Sequence, residues 1–460
     1  MIARRISKKV MLILAGDTLL LWAALWAALS LRRYPHSEEK WALLRLHTTP
    51  FAIIFLLWLL VLGAFGLYEL RIMKNGRIFL WRLLQVMVIN VVLAITILYL
   101  FPFEIEPRRN LLVIASLATI FIFLWRYLFN LFIARTPAAR VIFCGINKEA
   151  GQLADYLIAH PQLGYKPVGF IANDDGSSGI PPQIPCFVLD KHTLPHIVRD
   201  TKADTIVIAP EMKENKLLVS ALLSVIPQGV TVSEFPAFHE MLTGKIPHSL
   251  IEEVWFLENL IGIKKLAYER AKRAADLVLA GILGIPAFLF FPFIALAVKL
   301  NSRGPIFFRQ QRLGKNGAAF EMIKFRSTWR TAAPAGDGWT KEHGNHIYTS
   351  VGMFLRRSYL DELPQLINIF KGEMSFVGPR PERPEFVERL KQEVPFYEMR
   401  LLVPPGITGW AQMHMENDAA VQDTPEKMQY DLYYIKNRAF MLDLLIMLRT
   451  ASALMRRQGR

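Results

Sequence analysis

The run Ala274-Ala-Asp-Leu-Val-Leu-Ala-Gly-Ile-Leu-Gly-Ile-Pro286-Ala-Phe-Leu-Phe-Phe-Pro292-Phe-Ile-Ala-Leu-Ala-Val298 decides how this chain is organised. It is long enough to cross the hydrocarbon core of a bilayer, which takes about 20 residues. Lys272 and Arg273 precede it, and Lys299 and Arg303 follow it. A full span would put the segments before and after it on opposite faces of a membrane. Its two prolines favour a helix that breaks at depth and re-emerges on the side it entered. That geometry keeps both basic flanks at an anionic leaflet. Backbone freed at the break must be satisfied by protein or water, so the following domain is expected to pack against it.

Upstream, four more apolar runs open the 460-residue chain, at 10–31, 50–70, 79–101 and 110–132. Each approaches spanning length. Cations cluster before the first (Arg4, Arg5, Lys8, Lys9), after the second (Arg71, Lys74, Arg77) and after the fourth (Arg135, Arg140). The positive-inside rule then places the amino terminus, and everything after residue 133, in the cytoplasm. Met1 to Lys9 is basic and precedes an apolar stretch, as in a signal peptide. The apolar part is of spanning length and lacks a small-residue cleavage site, so an uncleaved first helix is expected. A mean hydropathy of +0.27 agrees with an integral membrane protein. The net charge of +15 suits anionic head groups or nucleotide phosphates. Nucleic acid is disfavoured as a partner, because the basic residues lie beside apolar segments and no arginine-rich arm is present. The two cysteines, Cys144 and Cys186, have no metal-ligand spacing and read as reduced thiols.

Between these apolar regions lies a segment of alternating strands and helices. Val141-Ile-Phe-Cys-Gly145, Pro167-Val-Gly-Phe-Ile171 and Thr205-Ile-Val-Ile-Ala209 read as buried strands, and 148–160 as a helix. That alternation predicts a parallel sheet. Gly145-Ile-Asn-Lys-Glu-Ala-Gly151 occupies the first strand–helix turn, where dinucleotide folds hold a pyrophosphate. Asn147 stands where the middle glycine of that fingerprint belongs. A structural turn is the expectation, with no cofactor-binding residue assigned.

Downstream, unusual local sequence concentrates in the last 160 residues. Asp361 and Glu362, in Ser358-Tyr-Leu-Asp361-Glu362-Leu-Pro-Gln365, precede the turn Met374-Ser-Phe-Val-Gly378-Pro-Arg380-Pro381. Acids here could simply complement a helix dipole, with Ser358 as the cap and Pro364 in the first turn. Neighbouring helical residues point about 100° apart, so the two carboxylates can do different jobs. One can attack phosphorus while the other holds a hard cation such as Mg²⁺, which takes one or two carboxylates plus phosphate oxygens. Lys324, Arg326, Arg356 and Arg380 are the cations that could neutralise a diphosphate and the charge of its transition state. Thr331 to His346 reads as a mobile polar loop. Metal ligation by its His343 and His346 is not expected.

Here the chain resembles a known family. Lys272-Arg273-x-x-Asp276, the Gly304-Pro…Arg312-x-Gly314 run, Lys324-Phe-Arg326, Leu360-Asp-Glu-Leu-Pro-Gln365, Met374-Ser-Phe-Val-Gly-Pro-Arg-Pro381 and Pro405-Gly-Ile-Thr-Gly409 occur in the order of the bacterial polyprenyl-phosphate hexose-1-phosphate transferases. These membrane enzymes start exopolysaccharide, capsule and O-antigen assembly, and the larger members also resemble this chain's first 262 residues. The resemblance implies that Asp361 attacks the β-phosphate of a UDP-sugar, releasing UMP, before undecaprenyl phosphate takes the sugar phosphate. It implies Glu362 as the Mg²⁺-binding partner, and Lys324, Arg356 and Arg380 as residues that engage phosphate or organise the site. The usual helix-breaking Ser-Pro is absent, and Ile285-Pro286 and Phe291-Pro292 flank its position. Ser350 replaces an arginine common in the family.

The expected fold class is thus a membrane protein, α plus α/β. Residues 1–135 form four transmembrane helices and 138–262 a Rossmann-like cytoplasmic α/β domain. Residues 264–460 carry the re-entrant helix and a mainly α catalytic domain that the family makes monotopic. The expected location is the bacterial inner membrane, in contact with lipid, and a homo-oligomer is compatible. A membrane-anchored nucleotide-sugar dehydratase or epimerase competes, but its Tyr-x-x-x-Lys pair is matched only at Tyr268 and Lys272, outside the α/β segment. A non-catalytic nucleotide-binding scaffold would have favoured an incomplete motif set.

Overall fold

The computed structural model describes residues 2–31, 37–68, 77–101, 103, 108–135, 138–172, 179–190, 193–247, 253–256, 259, 266–329, 348–415 and 423–455. The expected loop 331–346, with His343 and His346, lies outside them. The chain forms two compact units, Met1–Leu242 and Thr243–Arg460.

The first unit begins with four long helices, α1 (Ile2–Ser30), α2 (Ser37–Ala64), α3 (Arg77–Leu100) and α4 (Arg108–Arg135). All four are long and apolar enough to cross a bilayer. Polar groups hold them together where apolar faces alone would slide, because lipid gives helices little hydrophobic reason to associate. Arg126 on α4 donates from Nε and Nη2 to both carboxylate oxygens of Asp17 on α1, at 3.2 and 2.5 Å. Its Nη1 reaches the carbonyl of Leu67, and both charged side chains are sealed from solvent. Trp58 Nε1 donates to the carbonyl of Asn90, tying α2 to α3 at 2.8 Å.

The same unit holds the α/β layer: β1 (Ala139–Cys144), α5 (Lys148–Ala159), β2 (Tyr165–Ala172), β3 (Cys186–Val188), α6 (Leu194–Thr201), β4 (Thr205–Ile208), α7 (Lys216–Val225) and β5 (Thr231–Glu234), with α8 (Phe235–Thr243) at its end. The sheet is parallel in the order β3-β2-β1-β4-β5. This is the strand order of a Rossmann fold, with its switch point between β1 and β4. At that point Asn147 closes the strand–helix turn. Asn147 Oδ1 accepts from Ala150 N at 2.7 Å, capping α5, and Asn147 Nδ2 donates to Glu211 at 2.9 Å. The backbone carbonyl of Gly179 lies 1.9 Å from where a Cβ on Gly151 would sit, so this glycine serves internal packing.

The second unit starts earlier than the predicted boundary. Residues 243–247 and 253–256, assigned above to the α/β domain, pack into the C-terminal body. Trp410 Nε1 donates to Gly244 O, and Phe256 stacks on Phe396. The body contains α9 (Glu253–Phe256), α10 (Leu266–Asn301), the hairpin β6 (Phe307–Leu313) and β7 (Ala319–Phe325), α11 (Ser350–Arg357) and α12 (Gln365–Lys371). It continues with β8 (Ser375–Val377), α13 (Pro384–Glu393), β9 (Gly406–Thr408), α14 (Trp410–His414), α15 (Thr424–Asn437) and α16 (Phe440–Met455). It is mainly helical, as expected. Its largest core joins Val377, Val387, Tyr397, Leu432 and Ile446.

Helix α10 departs from the expected break. Helix is continuous from Leu266 to Asn301 with Pro286 and Pro292 inside it. Each proline removes one intrahelical bond, and neighbouring packing can absorb that loss without an interruption. Both ends of α10 seat on the same body. Arg273 donates to the carbonyls of Ile369 and Phe370, closing the end of α12, and Asp276 accepts from Phe376 N. Toward the other end Phe291 stacks with Phe307 and Phe325, and Val298 packs with Leu355. Helix α16 packs into the core. Its Asp443 binds Tyr434, Tyr268 and Lys272.

Candidate active site

Asp361 and Glu362 do not begin a helix. They occupy a separate 3₁₀ turn, Leu360–Glu362, entered through Tyr359 in the left-handed region at φ 55°. Ser358 does not cap them; it closes α11 and its hydroxyl bonds back to Phe354 O at 2.8 Å. A 3₁₀ turn of three residues separates neighbouring side chains by about 120°. The two acids accordingly enter different surroundings. Asp361 is buried, at 8% exposure, whereas Glu362 Oε1 accepts from Lys324 Nζ at 2.7 Å.

Lys324 comes from β7, and Asn368 fixes β7 to the segment bearing the acids. Asn368 Nδ2 donates to Glu321 O at 2.8 Å, and its Oδ1 accepts from Ile323 N at 3.3 Å. Arg356, on the last turn of α11, lies over the Tyr348 ring and donates to its hydroxyl at 2.7 Å. Arg380 stands on the turn after β8. That turn is clamped to the Pro405–Gly409 strand: Gly378 N donates to Thr408 O, and Gly406 N to Pro379 O, each at 2.9 Å. A Cβ on Gly378, Gly406 or Gly409 would lie within 2.4 Å of backbone across this contact. The two glycine-rich motifs are therefore one structural unit.

Electrostatics separates the carboxylates. Burial, and then the adjacent Glu362 charge, push Asp361 from the usual 3.8 up to about 6, against the pull of Lys324 and Arg356. Lys324 is lowered, first by burial and also by Arg380, while Glu362 favours its charge. Asp361 thus feels Glu362, Lys324 and Arg356, and Lys324 in turn feels Glu362 and Arg380. Arg326 does not join them. It is buried, and its Nη2 donates to Ser302 O at 2.7 Å and Ser302 Oγ at 2.9 Å, gripping the C-terminal end of α10. The i,i+2 spacing on a strand explains the error, since Lys324 and Arg326 share a β-like face but Arg326 lies past the end of β7, over the helix terminus.

The described residues hold no group of three or more His, Cys, Asp or Glu side chains. The donor set here is two carboxylates, which fits a Mg²⁺ ion that brings its remaining ligands from a bound phosphate and water. The sequence reading gave no role to Arg312, Glu382, Arg400 or Lys427, which meet under the Arg380 turn. Their spacing along the chain gives no periodic signal. The Tyr268 and Lys272 pair is taken up by Asp443 within this body, so the dehydratase or epimerase reading loses its catalytic pair.

Fold and site together define a membrane-anchored protein whose C-terminal body sets a carboxylate pair among cations. The chain belongs to the bacterial sugar transferase family: residues 267–457 match the family described as Bacterial sugar transferase. Residues 63–231 match one described as CoA-binding domain. Over 326 residues it is 34% identical to the UDP-glucose:undecaprenyl-phosphate glucose-1-phosphate transferase of Escherichia coli K12, covering 68% of this chain and 67% of that protein. It is 38% identical over 229 residues to the UDP-N-acetylgalactosamine-undecaprenyl-phosphate N-acetylgalactosaminephosphotransferase of Aeromonas hydrophila, covering 48% and 52% of the two chains. The match therefore spans about half the length of that relative. A UDP-glucose:undecaprenyl-phosphate glucose-1-phosphate transferase of Caulobacter vibrioides is 36% identical over 198 residues, covering 42% of this chain and 73% of its own.

Proposed function

We propose that this protein transfers a sugar-1-phosphate from a UDP-sugar to undecaprenyl phosphate through a covalent intermediate on Asp361. A carboxylate oxygen of Asp361 attacks the β-phosphorus of the UDP-sugar. The bond to the UMP oxygen breaks, UMP leaves, and an aspartyl-phosphosugar remains. A phosphate oxygen of undecaprenyl phosphate then attacks that phosphorus, the aspartyl–phosphorus bond breaks, and the carboxylate is regenerated. The observation that carries this reading is the division of labour within the acid pair: Asp361 is buried, and Glu362 takes the hydrogen bond from Lys324. With its carboxyl at about 6, Asp361 is mostly ionised at neutral pH. Arg356 and Arg380 would meet phosphate oxygens and the charge that builds on them. Glu362 would hold Mg²⁺, which supplies charge neutralisation on the diphosphate when bound.

The relatives' names point to the same donor and acceptor classes and differ in the sugar. The reading places the C-terminal body at the cytoplasmic face of a bacterial inner membrane, at the start of exopolysaccharide, capsule or O-antigen synthesis. The test is to incubate membranes containing the full chain with undecaprenyl phosphate and UDP-glucose, UDP-galactose or UDP-N-acetylgalactosamine, scoring UMP release. Release with one donor, abolished in excess chelator, is expected. No release from any donor, or release indifferent to chelator, refutes the transfer or the role of Glu362 respectively.

A further inference from the structure

Two prolines flank Arg380, at 379 and 381, and neither has an N–H with which to hold the turn. The turn is instead gripped from outside at four successive carbonyls. Pro379 O accepts from Gly406 N at 2.9 Å and Glu382 O from Leu313 N at 3.0 Å. Arg380 O accepts from Arg400 Nη2 at 2.9 Å, and Pro381 O from Arg312 Nη1 at 3.0 Å. The two guanidiniums are in turn fixed by acids. Arg400 binds Asp431 at 2.9 Å and lies 3.7 Å from Glu382; Arg312 lies 3.6 Å from the other Glu382 oxygen. Lys427 closes the set, 2.7 Å from Glu382. Arg400 and Asp431 are almost fully buried, so these charges are not a solvated surface patch.

We propose that Arg400, Arg312 and Glu382 are positioning residues that set the place of Arg380 by holding the backbone carbonyls on and after it. This rests on the reading of Arg380 as a phosphate-engaging cation. The turn carries its own acid: Glu382 follows Pro381 directly, so the cage clasps the segment through two main-chain carbonyls and one side chain. Burial alone would raise the Glu382 carboxyl, yet Lys427 and Arg400 hold it below the usual range, so it stays charged and keeps both guanidiniums aimed. A guanidinium can bridge a carbonyl and a carboxylate at once, whereas an ammonium offers no such planar fork. Arg400→Lys and Arg312→Lys therefore keep the charge while loosening the turn.

The experiment compares kcat/KM for UMP release by the full chain in membranes, using the UDP-sugar that turns over. Arg400→Lys is measured in the wild-type and Arg380→Lys backgrounds. Misplacing a reacting or binding group by about 1 Å costs up to about 100-fold, so a loss of about ten- to a hundredfold is expected in the wild type. In the Arg380→Lys background the same change should cost less than about threefold, because its only route to the substrate is already impaired. An equal loss in both backgrounds overturns the proposal, since a residue serving folding alone lowers both alike. If Arg400→Lys does not accumulate in membranes, Arg312→Lys, on a side chain 17% exposed, carries the same comparison. Failure of both to accumulate also overturns it. Should Arg380→Lys by itself leave kcat/KM unchanged, the fault lies with the reading of Arg380 and not with the cage.

Discussion

Replacing Asp361 by asparagine should remove turnover and make the protein more stable at neutral pH. The carboxyl shifts from 3.8 to about 6 because it is buried and lies beside the Glu362 charge. Its folded value is raised, so the native state binds a proton over a range where the unfolded chain has lost it. The stabilisation is fully present below 3.8 and is lost as pH rises through about 6. Above that the folded protein carries an ionised buried carboxylate. A difference of about two units, at 1.36 kcal/mol each, sets the cost near 3 kcal/mol at pH 7.5 and about half that at pH 5. Asparagine has nearly the same shape and no charge. The expected gain is therefore up to about 3 kcal/mol at pH 7.5, less whatever its amide loses in unmade hydrogen bonds. The assay is denaturant unfolding of the detergent-purified full chain at both pH values, alongside UMP release. An asparagine variant less stable than wild type at pH 7.5, or a gap that does not shrink toward pH 5, refutes the electrostatic account. Near wild-type turnover refutes the nucleophile.

Lys324→Met should move the acidic limb of the kcat/KM profile upward from about 6. Lys324 pulls the Asp361 carboxyl down, so removing its charge lets burial and Glu362 raise it further. A limb that stays or falls argues against Lys324 acting on Asp361. Arg326→Gln should cost about 2–4 kcal/mol of stability, because the Ser302 contacts of a buried guanidinium are lost. Yet kcat/KM per folded molecule should remain within about twofold of wild type, and a much larger loss would return Arg326 to the site. In the helical unit, Asp17→Leu alone should destabilise by about 3–5 kcal/mol and Asp17→Leu with Arg126→Leu by clearly less. Thermal aggregation in detergent separates the two, and equal losses would deny that the pair is a charge-compensated unit.

Much of this was legible because the informative residues are local. The apolar runs and the strand–helix alternation each carry their signal within a window of about 20 residues. The acid pair and the Gly378 turn likewise sit in short motifs. What escaped was decided over long separations. Arg326 differs from Lys324 only in what lies across from it, Ser302 at the end of α10 rather than Glu362. The Arg312–Glu382–Arg400–Lys427 cage joins positions up to 115 residues apart (427 − 312), without a shared period. Residues 243–247 read as an appendage of the α/β domain, yet Trp410 donates to the carbonyl of Gly244 and Ile246 N donates to the carbonyl of Gln429. At the degenerate glycine turn, the Asn147 side chain supplies the cap a helix start requires.

The continuous helix α10 leaves its relation to the membrane to be worked out from its two ends. Arg273, just before the apolar run, binds carbonyls at the end of α12. Asn301, just after it, accepts from Val351 N at the start of α11, at 3.2 Å. Only residues 358–364 separate α11 from α12. For α10 to cross a bilayer, the contacts at its ends would have to sit on opposite sides of a hydrocarbon layer about 30 Å thick. The body between them would then pass through lipid carrying Arg356, Arg357, Asp361 and Glu362, each costly there. The expected outcome is therefore that both ends face the same side, with the apolar middle turned toward the bilayer. In a chain with Cys144 and Cys186 replaced by serine, single cysteines at Arg270 and Arg303 should react with a membrane-impermeant maleimide from the same side, and both be protected from the other. Labelling of the two positions from opposite sides would make α10 a true span and strand the acid pair's two flanking helices across the membrane, which this packing forbids.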